Sequence, residues 1–356
     1  MWTSKHTQVL GTFAISGFGA LVFNVLGLPL PFLFGPMFAS LLAALIGAPL
    51  KGGGQISVAA RTILGVAVGA SITPAVLADV PNMVLSVALV PLYLICIAAV
   101  GIPFFVRVCG FDRVTAYYSA MPGGLMDMVI FGQEAGGNVR ALSLVHATRV
   151  LVIVTLAPFI LSWGMGVNLS NPVGAPASEL PVHEMVIMCV AALIGWRGGV
   201  RIGLFGAAIL GPIIVAAILS LTDVLHSRPP AEAINAAQFF IGMGIGVGYA
   251  GVTVAELRRF VAAGIAYVLM LATLAVVFGE IVVLSGLANP LEGFLAFSPG
   301  GQAEMTVLAI IAGADLGFVV VHHLTRLILV ITGAPFFAKA LKIGAEKIDE
   351  SDEGKV

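Results

Sequence analysis

Apolar positions along the chain fall in long unbroken blocks, and the polar residues collect between them. A block of about 20 apolar residues can cross a bilayer as one helix, and somewhat fewer suffice where neighbours shield its ends. Such blocks cover 9–28, 31–48, 57–78, 83–106 and 140–165, then 183–197, 203–221, 237–255, 260–284 and 315–337. Between the two groups, Gly166 to Val182 is rich in Gly, Asn, Ser and Pro and reads as a linker. Two more apolar stretches, 114–136 and 291–313, are each interrupted by Pro-Gly-Gly, at Pro122-Gly123-Gly124 and Pro299-Gly300-Gly301. The first block is longer than a signal-peptide core and lacks a small-x-small cleavage site, so it reads as a retained span.

Composition agrees with this pattern. Only 10% of the 356 residues are charged, 59% are hydrophobic, and the formal net charge is −1. A soluble surface of this size needs far more charge, and a nucleic-acid binder needs a basic face. The three cysteines, Cys96, Cys109 and Cys189, sit in or beside apolar runs with no C-x-x-C pair and give no disulfide framework.

Basic residues decide how many times the chain crosses, because Lys and Arg gather in cytoplasmic loops. Twelve spans would put Arg197 and Arg201 outside. Ten spans, with each Pro-Gly-Gly stretch dipping in and returning, place Lys51, Arg107, Arg113, Arg140, Arg197, Arg201, Arg258 and Arg259 inside, with Arg61 at the inner end of its span. The outer connections then hold Asp79, Glu179, Asp223, Glu232 and Glu292, with Arg228 as their one basic residue. The expected organisation is a first membrane repeat over 1–166, the linker 167–182, a second repeat over 183–337 and a charged cytoplasmic tail over 338–356. Both termini are expected in the cytoplasm of a bacterial cell, beneath its inner membrane.

The two halves are copies. A shift of 177 sets the first Pro-Gly-Gly on the second, Met128 on Met305, His146 on His323 and Arg149 on Arg326. From Pro122 to Phe159, 13 of 38 positions match without a gap, against roughly two or three expected from composition alone. The same shift pairs Gly65-x-x-x-Gly69 with Gly242-x-x-x-Gly246, a spacing that marks close helix contacts. Five spans per copy is an odd number, so the copies enter the membrane in opposite senses. The fold class expected is all-α integral membrane, with two inverted five-helix repeats and a re-entrant segment in each.

Bare backbone at membrane depth is tolerated only inside protein or along a wet cavity, and paired interruptions point to a transporter's binding site. The helix start after each Pro-Gly-Gly offers free N–H groups to an anion, so Pro122, Gly123, Gly124, Pro299, Gly300 and Gly301 are candidate substrate contacts. Arg149 and Arg326 join them as cations near the midplane, where an unpaired charge costs at least about 2.5–3.5 kcal/mol. Asp127 and Glu304 are their expected ion-pair partners and candidate coupling groups, with His146 and His323 one helical turn before each arginine. The bland alternative is that the duplicated pairs only lock the hairpins to the scaffold. His322 has no match in the first half and reads as helix packing. Glu280 lies late in its span, as a proton relay or a residue that snorkels to the interface, and Trp163 and Trp196 are interface anchors.

The strings Ser298-Pro-Gly-Gly-Gln-Ala-Glu-Met305, Gly313-Ala-Asp315 and His323-Leu-Thr-Arg326 carry a family resemblance, as do Met121-Pro-Gly-Gly-Leu-Met-Asp-Met128, His146-Ala-Thr-Arg149 and Phe32-Leu-Phe-Gly-Pro-Met37. The chain resembles the AbrB-duplication integral membrane proteins, whose members carry gene-regulator and ammonia-monooxygenase labels. The resemblance covers nearly the whole chain. Its regulator label implies at most an indirect effect on gene expression, since no soluble basic module is present. The monooxygenase label would need a metal site or a cofactor, and His146, His323, Asp127 and Glu304 are poor metal ligands beside arginines. The reading that follows is a secondary transporter of a small anionic solute, coupled to protons or cations, with no cofactor and no nucleic-acid partner. A membrane sensor is the alternative, and a homo-oligomer is left open.

Overall fold

The computed structural model describes residues 5–28, 30–169, 173–204 and 206–343. Most of the charged tail, Lys347 and Lys355 included, lies outside the described residues. Among those described, the chain is helical and has no strand. Helices α1 (Lys5–Val25), α2 (Pro31–Leu45), α3 (Gln55–Gly69), α4 (Pro74–Val108), α5 (Arg113–Ala120), α6 (Leu125–Glu134) and α7 (Val139–Gly164) form a first series. A second follows: α8 (Val182–Arg201), α9 (Ala207–Leu221), α10 (Ala231–Val247), α11 (Val254–Leu284), α12 (Pro290–Phe297), α13 (Gln302–Ala312) and α14 (Leu316–Ala340).

Six of these, α1, α4, α7, α8, α11 and α14, are long and apolar enough to cross a membrane. The architecture is that of a helical membrane protein. Helices α2, α3, α9 and α10 are apolar but only 15 to 17 residues long, about 22–26 Å at helical rise, against about 30 Å of hydrocarbon. Each apolar block of the sequence carries a helix; the largest differences, nine residues each, are the end of α3 at Gly69 within the block 57–78 and the start of α4 at Pro74, ahead of the block 83–106. Thr73 caps that start and Pro74 fits the first helical position, so the helix begins before hydropathy rises.

The other helix starts repeat as the sequence does. Asp112 and Asn289 cap α5 and α12, and Asn138 and Asp315 cap α7 and α14, each pair 177 residues apart. The linker is tied down. Its 3₁₀ turn, Ala177–Glu179, receives Glu232 Oε2 on the Ala177 N–H at 3.0 Å, and Ala231 N–H donates to Ala175 O at 2.9 Å.

Packing shows both an interior and an apolar solvent. On α4, Met83, Val90, Tyr93 and Ile97 are buried, while Leu77, Val84, Leu85, Leu92 and Ile95 are exposed on other faces. A helix apolar all round and exposed along one side requires lipid there. Where helices meet across the two series, glycines set the distance. Added Cβ atoms on Gly65 and Gly69 would lie 2.7 and 2.5 Å from the carbonyl oxygens of Ile209 and Ile213 on α9. In mirror fashion, Gly242 and Gly246 of α10 press on the Leu33 and Met37 carbonyls of α2. The two Gly-x-x-x-Gly motifs therefore join α3 to α9 and α10 to α2.

Replacing Gly246 by Ala forces backbone apart and should cost about 1–3 kcal/mol as overpacking. Gly244, with open space at its Cβ position, should accept Ala without loss. Thermal unfolding in detergent measures both, and equal effects would refute the contact.

Candidate functional site

Helix α5 ends at Ala120 and α6 begins at Leu125; α12 ends at Phe297 and α13 begins at Gln302. Between them Met121 and Gly124, and likewise Ser298 and Gly301, adopt extended backbone conformations. A proline has no N–H to continue the ladder, and each break strands the carbonyls of a helical last turn. Inside a bilayer these groups need protein donors.

Buried side chains supply them. In the first series His146 Nε2 donates to Tyr118 O (3.0 Å), and Tyr267 Oη to Ala120 O (2.5 Å). Arg149 Nη1 and Nη2 donate to Met121 O (3.2 Å) and Gly123 O (2.6 Å). In the second, His323 Nε2 donates to Leu295 O (2.8 Å) and Tyr93 Oη to Phe297 O (2.8 Å). Arg326 Nη1 and Nη2 donate to Ser298 O (2.7 Å) and Gly300 O (2.8 Å). The acceptors stand 177 residues apart throughout. The tyrosines cross over: each serves the broken helix of the other half.

Among the described residues no carboxylate forms an ion pair with Arg149 or Arg326, though the Glu304 charge is felt at Arg149. Among the described residues the ion pairs are Arg140–Glu256, His226–Glu184 and His226–Asp223. The reason lies in the helix ends. A C-terminus carries partial negative charge and attracts a guanidinium, whereas a carboxylate is favoured at an N-terminus. Asp127 and Glu304 accordingly sit in the first turns of α6 and α13. Both fold back over the glycines that cap those helices. A Cβ on Gly124 would overlap the Asp127 carboxyl, and one on Gly301 the Glu304 carboxyl. The preceding glycines, Gly123 and Gly300, leave room for Met128 and Met305, whose Cε atoms lie 2.7 Å from the missing Cβ positions. Pro122 and Pro299 are buried.

Three residues outside the sequence expectation belong here. Tyr93 and Tyr267 stand 174 rather than 177 apart and escape the repeat register. Arg61, taken from the sequence only as an inner-end charge, lies within electrostatic range of both Asp127 and Glu304. Of the remaining candidates, His322 bonds the Phe318 carbonyl of its own helix and contacts the rings of Phe297 and Phe318. Glu280 is exposed on the surface of α11, and Trp163 is exposed at the end of α7. Among the described residues no group of three or more His, Cys, Asp and Glu gathers as a metal site.

The family model described as "Transition state regulatory protein AbrB" matches residues 32–342. The chain belongs to the AbrB family. Two relatives match over most of this chain and of their own length. One is the uncharacterized protein YhjN of Bacillus subtilis (strain 168), 28% identical over 95% of this chain and 94% of its own. The other is the "Putative regulator AbrB" of Escherichia coli (strain K12), 24% identical over 91% of this chain and 94% of its own. No solved structure matches.

Loss of the Tyr267 hydroxyl in Tyr267→Phe should cost about 1–3 kcal/mol, since the Ala120 carbonyl is left unpaired. A double-mutant cycle between Asp127→Asn and Arg149→Met should show coupling below about 0.5 kcal/mol, as for separated sites. Unfolding midpoints give both values, and strong coupling in the cycle would restore the ion pair.

Proposed function

We propose that this AbrB-family protein is a secondary transporter of a small anionic solute, coupled to protons or another cation. In this reading ten spans form two inverted five-helix repeats, and the α5–α6 and α12–α13 segments are re-entrant hairpins meeting near the midplane of the bacterial plasma membrane. The observation that carries it is the atom-for-atom recurrence of the two broken helices. Interrupted helices in corresponding places of two halves are a recurring transporter plan, and their N-termini suit an anion. The carboxyl groups of Asp127 and Glu304 at those N-termini are the proposed coupling groups.

An asymmetry between the halves supports alternating access. On the side proposed as inner, Arg140 at the start of α7 pairs with Glu256 at 2.9 Å and donates to Gly251 O at 2.9 Å. Glu256 is the third residue after Thr253, which caps α11. The corresponding positions on the other side are Gly317, 177 residues from Arg140, and Val76, third after Thr73, which caps α4. These two pack together without charge and line a cavity of about 700 Å³ with Ser71, His226 and Asp315. Hydrogen bonds that the His226 ring donates to the Glu184 and Asp223 carboxylates raise its pKa at this mouth. One mouth is latched and the other is open.

Uptake of organic anions into proteoliposomes, with and without a pH gradient, tests the reading; gradient-dependent flux is expected. No flux with any anion, together with full function after loss of Asp127 and Glu304, would retire it. The sensor reading, favoured by the regulator name of the E. coli relative, predicts instead a stoichiometric soluble partner in a pull-down. Glu256→Gln should unlatch the inner mouth. With the native cysteines changed to serine and Ala250→Cys introduced, maleimide labelling from the inner side should rise at least threefold.

A further inference from the structure

Arg149 and Arg326 engage backbone carbonyls with both terminal nitrogens, so neither offers a free fork to a solute. Arg61 does. It lies half-buried on α3, and no hydrogen bond or ion pair holds it among the described residues. Helix α3 packs against α13, and the Arg61 charge reaches the carboxyl groups on both α6 and α13. Its charge thus acts on the first turns of both helices.

Besides Arg149 Nε and His146 Nδ1, buried amide atoms on α13 and on α10, which packs against α3, lack partners. Gln302 opens α13, and both its side-chain amide atoms are enclosed and unbonded. Gln238, 2% exposed, has an unbonded Nε2 and stands 177 residues from Arg61, holding in the second series the position Arg61 holds in the first. Buried amides without partners are uncommon and call for an occupant.

Charge arithmetic points to the occupant's class. With both ionised, Asp127 and Glu304 contribute two negative charges. Arg61 supplies one positive charge, and two helix N-termini about half a charge each. Arg149 also acts on Glu304 and adds a second positive charge, so the sum is about one positive charge in excess, and the carboxylates, folded over Gly124 and Gly301, fill the places where an N-terminus would hold a bound anion.

Resting on the transporter reading for the location of the site, we infer that Arg61 receives the carboxylate of a small organic acid. The amides of Gln302 and Gln238 complete its hydrogen bonds, and Asp127 and Glu304 are built-in competitors that the solute displaces. A guanidinium fork matches a carboxylate in a two-point contact. Of the other groups at the two breaks, Arg149, Arg326, His146, His323, Tyr93 and Tyr267 each bond a backbone carbonyl.

The test uses the full chain in lipid nanodiscs, titrated with acetate, succinate and phosphate by calorimetry and thermal shift. Acetate or succinate should bind. Arg61→Gln should weaken binding at least tenfold and Arg61→Lys less, while Arg201→Gln on the far end of α8 changes nothing. Asp127→Asn and Glu304→Gln should each tighten binding severalfold, a sign that a purely structural role would not produce. These two variants and the lysine variant keep the test decisive if Arg61→Gln fails to fold. Binding of phosphate alone, no binding of any probe, binding indifferent to Arg61, or weaker binding in the carboxyl variants would each overturn the inference. Arg61-dependent binding without flux in wild-type proteoliposomes would remove transport and leave the site; flux indifferent to Arg61 would do the reverse.

Discussion

An unpaired carbonyl inside hydrocarbon costs several kcal/mol, and no water is at hand to relieve it. Breaking two helices in the buried interior creates a set of carbonyls that need donors, and much of the architecture follows from satisfying them. Histidine, arginine and tyrosine are the side chains long enough to reach a helix end from a neighbouring helix while remaining buried. Here they are arranged as two matching belts. The belts fix the broken ends of α5 and α12 and leave the facing ends, the starts of α6 and α13, without side-chain caps. Rigid carbonyl ends and uncapped amide ends are thus two sides of one construction.

The same belts bind the halves together. Tyr93 and Tyr267 each act across the repeat boundary, and the Gly-x-x-x-Gly motifs do so again on the scaffold side, through α3 on α9 and α10 on α2. Small residues allow backbones to approach where lipid supplies no hydrophobic drive between helices. Against this symmetric frame the differences between halves stand out. Arg140 has Gly317 as its counterpart, and Arg61 has Gln238. Both changes exchange a charged side chain for a neutral one.

Much of this was legible in the sequence. The apolar blocks located the helices because a membrane span needs length and hydropathy and little else. The 177-residue register brought out His146, Arg149 and their copies because the belts use the same side chains twice. The partners of those arginines were not legible, since a backbone carbonyl has no letter in a sequence and a nearby carboxylate does. Asp127 and Glu304 were therefore matched to the wrong end of the break. Tyr93 and Tyr267 fell outside the register because α4 and α11 differ in length. Arg61 was hidden by depth, since its place near a span end suggested an interface residue.

The crossed tyrosines make each half depend on the other. A lone first half would carry a broken helix whose Ala120 carbonyl has no donor, because the hydroxyl that reaches it belongs to Tyr267. It would also carry a spare hydroxyl at Tyr93 aimed at a helix it does not possess. Two copies of one half would complete each other's bonds, so neither half of this chain satisfies its own break alone.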